Sequence, residues 1–100
     1  MVLYLRDRDA KIIQLIGSLN TDDFRTITSI ASQLKLRCFP FIDFIGDTIL
    51  NHKQLLELIK EITFLKDQKT AIKEDDLNIL YTAALSALEN PDYYLLINGE

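Results

Sequence analysis

The sequence predicts an α+β fold that is mainly α, with about four helices packed against a small sheet formed by the N- and C-terminal strands. Four segments have apolar residues at helical spacing. Both ends of the chain, residues 2–5 and 93–97, are short runs rich in apolar residues and strand formers. A length of 100 residues predicts that residues 1–100 form a single domain.

The first helix is expected after a terminal strand at residues 2–5. Asp7 or Asp9 would cap this helix. Its buried stripe would contain Ile12, Ile13, Leu15, Ile16 and Leu19. The β-branched pair at residues 12–13 leaves a strand as the alternative. Gly17 also disfavours a helix here, by about 1 kcal/mol relative to alanine.

A second helix is expected from Thr21 to about residue 35. Thr21 is a suitable N-cap, and Asp22 and Asp23 suit the positive end of a helix dipole. One face of the segment is apolar: Phe24, Ile27, Ile30, Ala31 and Leu34. Because its interior also contains several serines and threonines, which are mediocre helix formers, tertiary packing must stabilise this helix.

Residues 38–45 are the least regular stretch, because Pro40 cannot lie inside a helix and biases Phe39 towards an extended backbone. Three phenylalanines lie within six positions: Phe39, Phe41 and Phe44. Their rings either fill the core from an ordered loop or form an exposed aromatic patch for a partner. Cys38, the sole cysteine, is expected to be buried and structural.

The strongest local pattern runs from Gly46 to Leu65. Gly46-Asp47 indicates a turn, and residues 48–50 form a short apolar run. Asn51 and Gln54 have the spacing of a capping box, in which each side chain accepts a hydrogen bond from the other residue's backbone amide. The helix that follows has a stripe of Leu55, Leu58, Ile59, Ile62 and Leu65.

A polar connector at residues 66–70 precedes the last helix, which begins with the acidic triplet Glu74, Asp75 and Asp76. Its stripe contains Leu77, Leu80, Tyr81, Ala84, Leu85 and Leu88. Asn90-Pro91 ends it. The terminal run at residues 93–97 is expected to pair with residues 2–5, and residues 48–50 are a candidate third strand.

Composition argues against several functions. The net charge of −4 disfavours nucleic-acid binding, which needs a basic surface, and suits a basic protein partner. One cysteine excludes an internal disulfide. The N-terminus lacks the apolar region of a signal peptide, and no apolar run approaches the ~18 residues of a membrane span. These features predict a cytoplasmic protein that binds neither nucleic acid nor membranes.

No enzyme motif is found, so the sequence predicts no catalytic residue, cofactor, metal or small-molecule substrate. The three glycines are scattered, and His52, the sole histidine, has no local acid to orient it. Asp43 and Asp47 bracket a turn, but Phe44, Ile45 and Gly46 between them supply no side-chain ligand for a cation. A small enzyme with an unrecognised site is the weakest alternative.

Protein binding remains, through acidic and aromatic surface residues. Tyrosines are favoured interface anchors, and acidic groups accelerate association with a basic partner. The candidate partner-binding residues are Asp43, Asp47, Glu74, Asp75, Asp76, Asp92, Tyr93, Tyr94 and Glu100. Because side chains alternate along a strand, Tyr93 and Tyr94 are not expected on the same face.

The set Gly46, Asp47, Thr48, Asn51 and Gln54, with Gly99 and Glu100 at the end, resembles a group of small bacterial proteins. That group shares a Gly-Asp-Thr-x-x-Asn-x-x-Gln core, and several members look like immunity proteins. The resemblance implies an immunity protein that neutralises a cognate toxin of contact-dependent inhibition, with a basic domain such as a nuclease as partner. The alternative is another cytoplasmic binding module: an adaptor, an antitoxin or a phage-encoded inhibitor.

Overall fold

A computed structural model describes residues 1–43, 45–68 and 74–99. Three parts of the chain lie outside the described residues: Phe44, residues 69–73 and Glu100. Residues 69–73 include the end of the predicted connector and the expected start of the last helix. Four strands and four helices occupy the described ranges. In chain order they are β1 (Val2–Asp7), β2 (Ile12–Ser18), α1 (Thr21–Gln33), α2 (Cys38–Phe41), β3 (Asp47–Leu50), α3 (His52–Lys66), α4 (Glu74–Leu88) and β4 (Tyr93–Asn98).

The strands form one antiparallel sheet in the order β2-β1-β4-β3. The two terminal strands lie side by side at its centre, in register from Val2 opposite Asn98 to Asp7 opposite Tyr93. β3 pairs with the other edge of β4, so that Leu50 lies opposite Leu95. The predicted pairing of the chain ends, with residues 48–50 as a further strand, is confirmed.

The prediction of a mainly α fold with only a small terminal sheet is wrong. Residues 12–18 form strand β2 rather than a helix, and of the described residues 51% are helical and 25% lie in strands. Asp7 caps a turn instead of a helix, since its Oδ1 accepts hydrogen bonds from the amides of Asp9 and Lys11, both at 2.9 Å. Ala10 adopts a positive φ of 66° and turns the chain back, after which the β-branched residues continue as a strand.

Two helix starts also differ from expectation. Asn20, not Thr21, caps α1, and its Oδ1 accepts hydrogen bonds from the amides of Asp22 and Asp23 at 2.9 and 3.1 Å. The stretch expected to be irregular contains the short helix α2. Pro40 fits there because the amides of a first helical turn need no intrahelical partner.

The helices bury one side of the sheet. β1 and β4 contribute Leu3, Leu5, Leu95 and Ile97 to this side, all at most 5% exposed. Apolar side chains of α3 and α4 pack with them in one core, and the fully buried Ala83, Ala84 and Ala87 allow close approach to α4. Phe24 and Phe39, whose ring centroids are 6.0 Å apart, join α1 and α2 to this core.

A buried carboxylate connects α2 to α3. Glu61 of α3 is only 3% exposed, and its two oxygens accept hydrogen bonds from three successive backbone amides. The distances are 3.2 Å from Arg37, 2.8 Å from Cys38 and 3.1 Å from Phe39. A carboxylate at the amide end of a helix satisfies donors that would otherwise be buried without partners. We call this contact the Glu61 clamp.

Replacing Glu61 by alanine is expected to lower the free energy of unfolding by about 3 kcal/mol or more, because buried amides lose charged acceptors. Glu61→Gln keeps one acceptor oxygen and should lose less stability than Glu61→Ala. The control is Glu57→Ala, an exposed glutamate one turn earlier in α3, which should change stability by less than about 0.5 kcal/mol. Urea denaturation gives all three values, and equal losses in the two alanine variants would contradict the clamp.

Candidate functional site

The Gly-Asp-Thr part of the sequence pattern folds into a hydrogen-bonded turn. We call Asp43, Ile45, Gly46, Asp47 and Thr48 the GD turn. The hydroxyl of Thr48 accepts a hydrogen bond from the amide of Asp43 at 2.9 Å, and Oδ1 of Asp43 accepts one from the amide of Ile45 at 2.9 Å. A Cβ on Gly46 would lie 2.9 Å from Oδ2 of Asp43, so glycine permits this close approach.

The C-terminal tail closes the GD turn from the other side. The amide of Gly99 donates to the carbonyl of Gly46 at 2.8 Å, and Nδ2 of Asn98 donates to Oδ1 of Asp47 at 2.7 Å. Thr48 is buried, whereas the side chains of Asp43 and Asp47 stay exposed. The GD turn therefore presents two exposed, hydrogen-bonded carboxylates at one end of the sheet.

The electrostatics of the turn favour the charged form of Asp43. Hydrogen bonds from the backbone amides of Ile45 and Gly46 lower the pKa of the Asp43 carboxyl group. The side chain of Asp43 is exposed, so its negative charge is available to a partner. This arrangement suits the recognition of a cationic group on another molecule.

The remaining residues of the pattern cap α3. Oδ1 of Asn51 accepts a hydrogen bond from the amide of Gln54, and Oε1 of Gln54 accepts one from the amide of Asn51, both at 2.9 Å. The predicted capping box is confirmed. Folding therefore accounts for each residue of the pattern that the structure describes. The side chain of Asp47 is nevertheless exposed, as is that of the neighbouring Asp43, and both can contact another molecule.

The predicted tyrosine and aspartate sites near residue 93 lie at the opposite end of β4 from Asp47. Asp92 forms an exposed ion pair with Arg8 at 2.9 Å. Tyr93 packs against the core, whereas Tyr94 lies on the other side of the sheet with the guanidinium of Arg6 5.7 Å from its ring centroid. The expectation that the two tyrosines occupy different faces is confirmed.

The acidic triplet of α4 does not act as one surface. Glu74 and Asp75 are exposed in the first turn, but Asp76 is only 8% exposed. Helical geometry explains the difference, because Asp76 lies beside Leu77 on the side of α4 that faces the core. Asp76 is therefore not part of the exposed acidic surface that the sequence suggested, and Glu100 lies outside the described residues.

One side of the sheet carries an apolar row that sequence reasoning missed. Directly opposed residues of antiparallel strands point to the same side, and the registers place Leu15, Tyr4, Leu96 and Ile49 in one line across all four strands. The helices pack on the other side. Leu15 is 59% exposed and Ile49 41%, whereas Tyr4 and Leu96 are half-buried. We call this side the open sheet face.

The row was missed because Leu15 was assigned to the buried stripe of a helix. Strand β2 places Leu15 on the open sheet face, together with Ile12, which lies opposite Arg6. The sequence signal that could have revealed it is the β-branched pair at residues 12–13 after an aspartate turn. No local sequence pattern predicts which residues of β1 and β3 lie opposite which residues of β4.

The pocket beside α2 does not provide a nucleophile. It has a volume of about 220 Å³ and is lined by Arg37, Cys38, Phe41, Gln54 and Glu57. Cys38 is 7% exposed, and burial, followed by the charges of Glu61 and Glu57, raises the pKa of its thiol to about 12. The thiol is therefore protonated at neutral pH. In the same region the ring of Phe39 is fully buried in the core and that of Phe41 is 57% exposed, while a role of this stretch in partner binding stays a prediction.

The only histidine has a structural contact. Nε2 of His52 lies 2.9 Å from the carbonyl oxygen of Asn90, which joins the start of α3 to the segment after α4. Within the described ranges, no group of three or more His, Cys, Asp or Glu side chains is arranged to hold a metal ion. No described helix has the length and apolar character to cross a membrane.

Comparison with known proteins gives no relative, since no family model, curated protein or solved structure matches this chain. The resemblance to immunity proteins therefore stays a prediction based on the residues of the GD turn and the capping box. The function has to be argued from the surfaces that the fold presents.

The carboxyl of Asp43 should titrate below the ordinary aspartate value of about 3.9. Because its folded-state pKa is lowered, its contribution to stability is present above the unfolded-state pKa and is lost as the pH falls through the folded-state pKa. In Gly46→Ala the added Cβ should displace the carboxylate and return its pKa towards the ordinary value. Carbon-detected NMR titration measures both, with Gly17→Ala as control, and an unchanged pKa in Gly46→Ala would refute the proposed geometry.

Cys38 should react with iodoacetamide at pH 8 at least about 100-fold more slowly in the folded protein than in the urea-unfolded chain, because the thiolate is the reactive species. Mass spectrometry of timed samples measures both rates. Comparable rates in the two states would show that the thiol is accessible and ionised, contrary to its burial in the structure.

Proposed function

We propose that this chain is an immunity protein that binds a cognate bacterial toxin domain and neutralises it by protein–protein contact. The observation that supports the proposal is the GD turn, which holds Asp43 and Asp47 exposed and fixed at one end of the sheet. Loops held by a rigid scaffold are common sites of recognition. The same residues are those in which the sequence resembles immunity proteins.

The GD turn is held in one conformation and can bind a partner without rearrangement. Its hydrogen bonds to Thr48, to the amide of Ile45 and to Asn98 fix the loop before binding, so less conformational entropy is lost on association. Two fixed carboxylates and a net charge of −4 accelerate the approach of a basic domain. A basic nuclease domain is the partner class that this chemistry suits.

In this proposal the chain acts in the cytoplasm, where it binds the toxin domain and blocks its active site or the access of its substrate. Its own side chains carry out no reaction. The His52 contact and the protonated Cys38 thiol both agree with a structural role for these two residues. The proposal includes no cofactor, metal, nucleic acid, membrane or small-molecule substrate.

Co-expression with the C-terminal toxin domain encoded directly upstream of this gene tests the proposal. The wild-type chain should restore growth and co-purify with that domain. Failure of rescue and of co-purification, or the lack of a toxin gene in that position, would contradict the immunity function.

Removing the two charges of the turn should slow association. The double variant Asp43→Asn/Asp47→Asn keeps the acceptor oxygens that hold the turn, and its association rate constant with the toxin domain is expected to fall about tenfold at low salt. Glu57→Gln/Glu89→Gln removes the same charge from exposed positions elsewhere and should have a smaller effect. Surface plasmon resonance measures the association rate constants. Equal decreases for the two double variants would show that association depends on the net charge alone and not on the GD turn.

A further inference from the structure

The open sheet face has the composition of a protein-binding surface. Its centre is the row of Leu15, Tyr4, Leu96 and Ile49. Rows that combine polar and apolar side chains lie on both sides. One contains Val2 with Ser18, Asn98 and Asp47, and the other contains Ile12, Arg6 and Tyr94. An apolar centre with tyrosines and a polar rim is typical of interfaces.

We infer that the open sheet face receives the basic toxin domain, with the apolar row as the centre of the contact and the GD turn at its acidic corner. This inference rests on the proposed function and adds the surface that carries it out. Asp47 belongs to both features, because it alternates with Thr48 along β3 and so lies on the same side of the sheet as Ile49. The turn and the row are therefore continuous.

The charges at the β3 corner, together with the net charge of −4, favour a basic occupant there. The positive charge of Arg6 lies in the row on the other side of the apolar centre, over the ring of Tyr94, and its Nε donates to the carbonyl of Asp7 at 3.2 Å. The carboxylates at the β3 corner have no cationic side chain within the turn. A partner with a cationic group beside an apolar patch would match both the corner and the row.

Other occupants fit less well. The pockets described lie elsewhere: two beside α2 and α3, and one between β2 and α4 that includes Gly17 and Ile79. None of these three pockets includes a residue of the apolar row, and small molecules bind preferentially in concave sites. An anionic lipid surface would repel a protein of net charge −4 that presents Asp47 on this side. Binding of a second copy of this chain to the face would be detected as a dimer in solution.

The experiment compares two double variants of matched exposure in binding to the same upstream-encoded toxin domain. Leu15→Gln/Ile49→Thr removes apolar groups from the open sheet face, where the residues are 59% and 41% exposed. Leu56→Gln/Leu85→Gln does the same on the helices, where the leucines are 55% and 44% exposed. Isothermal titration calorimetry gives the dissociation constants, and urea denaturation checks that both variants are folded.

The face variant is expected to weaken binding at least 30-fold, a loss typical of two apolar side chains that are buried on association. The helix variant should change the dissociation constant less than threefold. If the wild type binds and both variants bind equally well, the surface is wrong and the immunity function stands. If the wild type does not bind, the proposed function fails and this inference fails with it.

Sedimentation of the wild type alone completes the test. We expect a monomer at micromolar concentration. A dimer that the face variant dissociates and the helix variant does not would show that a second copy covers the open sheet face, which would overturn the inference.

Discussion

The Glu61 clamp is the interaction on which the arrangement of the molecule depends. The buried carboxylate of Glu61 in α3 accepts hydrogen bonds from the backbone amides of Arg37, Cys38 and Phe39, and so fixes α2 against α3. Phe39, held by this contact, packs near Phe24 of α1. Because α2 ends at Phe41, with Ile42 as its C-cap, and the GD turn starts at the next residue, the clamp also fixes where the turn begins.

The clamp and the chain termini act on the GD turn from opposite sides. β4 places Asn98 and Gly99 against Asp47 and Gly46, while the buried hydroxyl of Thr48 holds Asp43. These contacts use most of the polar groups of the pattern for folding. α3 and α4 pack on the other side of the sheet, and buried residues of α1 and α2 join the same core. The fold therefore leaves one sheet face with an apolar row, and two exposed carboxylates, available for contact with another molecule.

Local patterns predicted much of the fold, including α1, the capping box of α3 and the pairing of the terminal strands. Strand β2 was predicted wrongly, because a helical stripe and a strand both fit residues 12–19 and the positive φ of Ala10 cannot be read from an alanine. Glu61 accepts from amides more than 20 residues away. The open sheet face depends on register, so the sequence predicted only the GD turn and Tyr94 of the candidate site.

The most direct measurement is methyl NMR of the leucine and isoleucine side chains as the toxin domain is added. The largest chemical-shift changes are expected at Leu15, Ile49 and Leu96, on one side of the sheet, while the methyl signals of Leu56 and Leu85 stay unchanged. Shifts concentrated on the helices, with the sheet unchanged, would contradict the claim that this protein works through its open sheet face.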